Sequence, residues 1–250
     1  MVKQPSEEDR VVLEHVFRYR LTLPQILAGT GIFSGEGDHQ AQETLERLGC
    51  DGWLSSAELY PGHRPEQYYH LSERAAKFLG QDAIVAQPLK HDSRVECFAI
   101  ATFCCCGKPF RELMTKEEFK STFAKLWYPG QPIRHYLDKG DDGTVRLAFL
   151  KVDTAGTGRW DRLIDSCSHF LRQRTDESRI AKEHRPHARE FARFVERDQF
   201  RFTVLTALPE KKRAIELELA RRTLSREPVP PITVHVVPEL FEAIFPAPQM

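Results

Sequence analysis

Asp38-His39-Gln40-Ala41-Gln42-Glu43-Thr44-Leu45-Glu46-Arg47-Leu48-Gly49 runs into Trp53-Leu54-Ser55-Ser56 and, beyond Pro61-Gly62-His63-Arg64-Pro65, into Tyr68-Tyr69-His70-Leu71; the fold turns on how this stretch is read. Ala41, Leu45 and Leu48 recur with the period of a helix that buries one face, and Asp38 suits its N-cap. After Gly49 the pattern changes. Extended, aromatic-rich segments on either side of a Gly/Pro turn predict a β-hairpin. Upstream, Ser6 with Asp9 gives a capping-box pattern ahead of Val12, Leu13, Val16 and Phe17, which predicts a helix ending near Tyr19. Thr22 can cap a second short helix, with Pro24 in its first turn, Ile26 and Leu27 inside, and Gly29 and Gly31 ending it. Downstream, Ser72 opens a fourth helix that buries Ala75, Ala76, Phe78 and Leu79.

Three helices, a hairpin and a closing helix resemble the winged helix-turn-helix, and the segments Leu45–Leu48, Gly52–Leu54 and Tyr68–Ala75 carry the likeness. The resemblance implies that the third helix enters a major groove while the hairpin tip touches backbone or minor groove. Candidate base contacts are then His39, Gln40, Gln42 and Arg47, whose amide, imidazole and guanidinium groups match the donor and acceptor pattern of base edges. His63 and Arg64 are the candidates at the tip. Winged helices also serve as protein-docking or dimerisation modules, so a protein partner and a homodimer are further expectations. Glu36, Asp38, Glu43 and Glu46 favour docking, because carboxylates repel phosphates.

Lysine plus arginine equals aspartate plus glutamate, at 36 each, so no net positive field collects nucleic acid. Residues 1–90 hold nine basic and thirteen acidic side chains, so any DNA contact in this part must be local. No apolar run is long enough for a membrane span and no signal peptide opens the chain, which predicts a soluble cytoplasmic protein. The six cysteines show neither a disulfide framework nor a Cys-x-x-Cys zinc pattern. Cys104, Cys105 and Cys106 point in three directions from one helix and cannot all meet one ion.

The length predicts two domains, 1–85 and 90–250. The second opens with a helix over His91–Cys106 that ends before Gly107 and Pro109. Val145–Asp153 reads as a largely buried strand, Trp160–Leu171 as an amphipathic helix, Phe202–Leu208 as a strand, Glu210–Arg222 as a helix and Ile232–Val237 as a strand. The expected class is therefore mixed α/β, or α+β, with helices against a mixed sheet. Arg172–Arg201 is the most basic stretch, with nine Lys or Arg against six acids. Arg172, Arg174, Arg185 and Arg189 are its candidate phosphate contacts, and ion pairs along a solvated helix are the plain alternative.

Asp142-Gly143 on a turn, Phe149-Leu150-Lys151-Val152-Asp153 on the next strand and a helix beyond are similar to the replication-relaxation family of plasmids and mobile elements. Those proteins join a winged helix to a core like that of PD-(D/E)xK nucleases. The resemblance implies a DNA-binding accessory or regulatory protein. If its nuclease-like site were active, it would use Asp142, Asp153 and Lys151 with Mg²⁺ or Mn²⁺. Lys151-Val152-Asp153 inverts the acid-any-lysine order, so the site is expected to be degenerate and the protein non-catalytic without a cofactor. Gly156-Thr157-Gly158 lacks a phosphate-loop lysine, Cys167 and His169 diverge on a helix, and His184 with His187 lacks a third metal ligand.

Overall fold

Ser6 starts the first helix as its spacing predicts. In the computed structural model, which describes residues 4–33, 37–60, 66–140, 143–154 and 160–244, the Ser6 hydroxyl accepts from the Asp9 backbone N–H at 3.2 Å and the Asp9 carboxylate accepts from the Ser6 N–H at 2.9 Å. Two of the donors involved in a helix start are thereby satisfied. Helix α1 (Glu7–Tyr19) is followed by α2 (Pro24–Gly29), whose N-cap is Leu23 rather than Thr22. Thr22 acts elsewhere: its hydroxyl lies 3.0 Å from His15 Nε2, and its backbone exchanges two hydrogen bonds of 2.9 Å with Tyr69.

Helix α3 (Gly37–Cys50) buries Ala41, Leu45 and Leu48 in one cluster with Val12, Leu13 and Val16 of α1. Strands β1 (Leu54–Glu58) and β2 (Gln67–Leu71) pair antiparallel with Leu54 opposite Leu71, and the Thr22–Tyr69 bridge adds a short extended piece to the other edge of β2. Ser72 caps α4 (Glu73–Phe78) by accepting from the Ala75 N–H at 3.2 Å. Phe78, expected inside, is half-exposed and packs its edge against Trp53.

The next helix corrects the expected domain boundary. The chain divides into one unit of Met1–Arg111 with Glu239–Met250 and a second of Glu112–Pro238, not at residues 85–90. Helix α5 (His91–Cys105) is the reason: from Phe98 to Cys105 every residue is buried, and it packs on α1, α2 and α10 (Leu240–Ile244). A helix buried on all sides belongs to a core rather than to an approach segment. Gly29 permits the close approach of α2, since a Cβ there would sit 2.6 Å from the Cys105 carbonyl oxygen.

The second unit is a four-stranded mixed sheet with helices. Its α6 (Lys116–Thr122) begins with a Thr115–Glu118 capping box. Strands β3 (His135–Lys139), β4 (Val145–Val152), β5 (Phe200–Thr206) and β6 (Ile232–Val236) lie in that order; β3 is antiparallel to β4, and β4, β5 and β6 are parallel. Parallel neighbours require crossovers. Helices α7 (Trp160–Thr175) and α8 (Arg185–Glu196) supply one, and α9 (Pro209–Leu224) the other. Leu147, Phe149, Phe200, Phe202, Val204 and Val234 of the sheet form one core with Ile164 and Cys167 of α7, Phe191 of α8 and Ile215 of α9. Ala148, Leu150, Thr203 and Leu205, on the opposite face, are buried too, which accounts for the dense apolar reading of β4 and β5. Together the units make a mixed α+β protein.

Candidate functional site

The outward side of α3 carries Asp38, His39, Gln40, Glu43, Glu46 and Arg47, all exposed. Arg47 nonetheless faces back to α1. Its Nη2 pairs with Asp9 Oδ1 and its Nη1 donates to Asp9 Oδ2 at 3.3 Å. Burial pushes the Asp9 carboxyl up, but the Arg47 hydrogen bond and the Ser6 donors outweigh it and hold the group below the usual carboxylate value. Gln42 donates its amide to Glu46, and His39 Nδ1 lies 3.4 Å from Glu43. Of the four expected base contacts on this helix, Gln40 is exposed, His39 and Gln42 face acids of their own helix, and Arg47 clamps α3 to α1. Asp38, Glu43 and Glu46 leave the surface anionic. A groove of about 820 Å³ between α2, α3 and β2 repeats that character, with Asp38, Glu46 and Glu66 in its lining. His63 and Arg64 lie outside the described residues.

At the end of β4, Lys151 and Asp153 share a side of the strand but do not meet. Lys151 Nζ donates to Ser166 of α7. Asp153, 4% exposed, pairs with Lys211 Nζ of α9 at 2.6 Å and accepts from Thr206 Oγ1 at 3.2 Å. Its carboxylate is therefore neutralised from within. Asp142 lies outside the described residues. Gly140 and Gly143, which close the β3–β4 turn through a 2.9 Å bond, lie at the start of β4. The eight residues of β4, at about 3.3 Å each, separate that end from Asp153 by roughly 26 Å. Among the described residues no group of three His, Cys, Asp or Glu side chains is placed to hold a metal ion.

The basic stretch is divided as its charges suggest. Arg172 and Arg185 are exposed, whereas Arg189 binds Glu177 through two bonds of 2.7 and 2.8 Å. That bidentate contact holds the Glu177 carboxyl below its ordinary value. Arg174 is corrected most sharply: it is 5% exposed and cannot track a phosphate chain. Its guanidinium lies over the rings of Tyr128, Phe170 and Phe191, 4.8 to 5.3 Å from their centroids. Nη2 donates to Gln131 Oε1 at 2.7 Å and to the Leu126 carbonyl at 3.4 Å.

The thiols and histidines form no reactive pair among the described residues. Cys104 and Cys105 are buried and Cys106 is exposed; burial pushes the Cys106 thiol up to about 11 and the Cys167 thiol to about 12. A thiol held that high is a poor nucleophile. His187 Nδ1 lies 2.9 Å from the Lys125 carbonyl, and His184 stacks on Tyr128. Lys211, Thr206, Gln131 and His135 escape the sequence reading. Only Lys211 leaves a hint, as a cation in the first turn of a helix, where the backbone dipole disfavours it.

No family model matches the chain, no curated protein matches it, and no solved structure matches it. What fold and geometry define is a mixed α+β protein in which the acid at the end of β4 is neutralised by lysine. No helix among the described residues is long and apolar enough to cross a membrane.

Proposed function

We propose that the chain is a non-catalytic DNA-binding accessory protein whose first unit is a winged helix, with the second unit a nuclease-like domain that has lost its chemistry. One observation carries this reading. Helices α1, α2 and α3 are followed by the β1–β2 hairpin, the Thr22 bridge extends that sheet as a third short strand, and the outer side of α3 is open to solvent. That order and exposure suit a helix presented to a major groove, with His39, Gln40 and Gln42 as its readers. The loss of chemistry rests on the Asp153–Lys211 pair, which leaves no free carboxylate at the end of β4 to hold Mg²⁺ or Mn²⁺.

The anionic side of α3 supports a second reading, an adaptor whose helix docks a basic protein surface. Binding to a labelled duplex, followed by fluorescence anisotropy on the full chain, separates the two. The DNA reading expects binding at about 50 mM salt that weakens steeply by about 200 mM. It also expects Glu43→Gln with Glu46→Gln to tighten binding, and His39→Ala with Gln40→Ala to weaken it. If neither the natural chain nor the Glu43→Gln, Glu46→Gln variant binds duplex at low salt, the DNA reading is lost and docking remains.

A further inference from the structure

The interior of the second unit holds a cation without a carboxylate beside it. Arg174 makes no ion pair among the described residues, and the polar groups around it are neutral: the Gln131 amide, the Leu126 carbonyl, the Tyr128 hydroxyl and the His135 imidazole. A guanidinium taken out of water costs several kcal/mol unless its charge and its N–H groups are matched. Three aromatic rings screen part of the charge. They do not satisfy the edge of the guanidinium, because a ring accepts at most a weak N–H bond.

Three buried atoms here have no partner: Arg174 Nη1, Gln131 Nε2 and His135 Nδ1. Their residues are 5%, 8% and 1% exposed. Arg174 and Gln131 are bonded to each other, and His135 lies close enough to feel the arginine charge. Two of the three atoms are donors in any state, and the third becomes one in the Nδ1–H tautomer of a neutral imidazole. Buried polar groups left unmatched together are rare in folded proteins. A set of donors beside one positive charge is complementary to an acceptor carrying one negative charge.

We propose that Arg174, Gln131 and His135 form an internal site for a small inorganic monoanion of the size of chloride. Net charge fixes the valence, since the arginine supplies the only positive charge in the set. Burial fixes the size, because atoms with no water-accessible surface leave no path for a phosphate ester or a peptide. The anion holds α7, the segment around Gln131 and β3 together as an ionic staple. The site lies wholly within the second unit and is independent of any contact with DNA.

Urea unfolding of the full chain at constant ionic strength, with chloride replacing the bulky anion gluconate, tests the proposal. Once chloride exceeds its dissociation constant, each tenfold rise should multiply the ratio of folded to unfolded protein by about ten. Arg174→Met should abolish the dependence and Arg174→Lys should retain part of it. Crystals grown in bromide should show an anomalous peak beside Arg174 Nη1. A stability indifferent to chloride, or a water in that place with no bromide signal, overturns the proposal. If Arg174→Met fails to fold, the natural chain in bromide still decides the matter.

Discussion

The second unit buries two cations in opposite ways. Lys211 is 5% exposed and meets a carboxylate, Asp153, together with the Thr206 hydroxyl. Arg174 is equally buried and meets rings and neutral acceptors. The first arrangement cancels charge locally, and in doing so it removes the acid that a metal-dependent site at the end of β4 would need. The second leaves a positive charge open to an anion. The difference shows that burial alone does not mark a functional residue: what decides is whether the partner is already present.

The largest effect should come from breaking the matched pair. Asp153→Ala leaves Lys211 charged, buried and without its carboxylate, and should cost about 3–5 kcal/mol in urea unfolding. Lys211→Met should cost a similar amount for the mirror-image reason. Asp153→Leu with Lys211→Met removes both charges and should recover most of the loss, because apolar replacement of a whole buried pair is often neutral or better. If the double variant is as unstable as either single one, packing rather than charge matching explains this corner of the unit.

Acid separates the two arrangements next. Burial pushes His135 well below its ordinary value, and Arg174 adds to the shift. Below about pH 6.5 the unfolded chain takes up a proton that folded His135 refuses, so this stability is lost as pH falls, by about 1.4 kcal/mol per pH unit. His15 in the first unit behaves alike, held near 3 by burial and by Arg18. Unfolding followed from pH 7 to about pH 5 should therefore show a slope of at least one proton. His135→Gln should remove about one proton from it, and an unchanged slope would show that His135 charges freely in the folded state.

How much of this was legible in the sequence depends on the residue. The capping box at Ser6, the apolar run of β4 and the order of helices and hairpin in the first unit follow from short-range patterns, which the chain writes locally. Arg174 was legible in part: it continues the spacing of Ile164, Cys167 and Leu171, so helical period places it inward, while its charge suggests the surface. Its three rings come from Tyr128, Phe170 and Phe191, and only folding brings the two distant ones to it. The Asp153–Lys211 pair spans two crossovers of a parallel sheet and leaves no local mark. Helix α5 reads as uniformly apolar toward its end, but uniform apolarity does not say which core receives it. The boundary expected near residue 85 failed for that reason.

A third ion pair extends the comparison to the first unit. Asp9 is buried, but Arg47 is about half exposed (side chain 48%), and water screens the pair. Asp9→Ala also removes an arm of the α1 capping box, so the expected cost is about 1–2 kcal/mol. Because the folded Asp9 carboxyl is held below 3.8, this contribution is complete above that value and disappears as pH falls through the lower folded one. Arg47→Ala should lower stability by a similar amount while leaving the salt slope of DNA binding unchanged, since the guanidinium is directed at Asp9 rather than at phosphate. A reduced slope would return Arg47 to the set of DNA contacts.

The smallest effect should come from the cation that has no carboxylate. With chloride replaced by gluconate, Arg174→Met removes a charge that the protein matches only with rings and neutral acceptors, and it leaves no oppositely charged group stranded. The flexible thioether can keep contact with Tyr128, Phe170 and Phe191. The lost cation–ring attraction and the removed desolvation penalty oppose each other, so the net change should stay within about 1 kcal/mol. In saturating chloride the same substitution should cost more, because only the natural chain gains from the anion. A large loss in gluconate would mean that the rings and Gln131 already balance the guanidinium, and the contrast between the two buried cations would then be one of geometry alone.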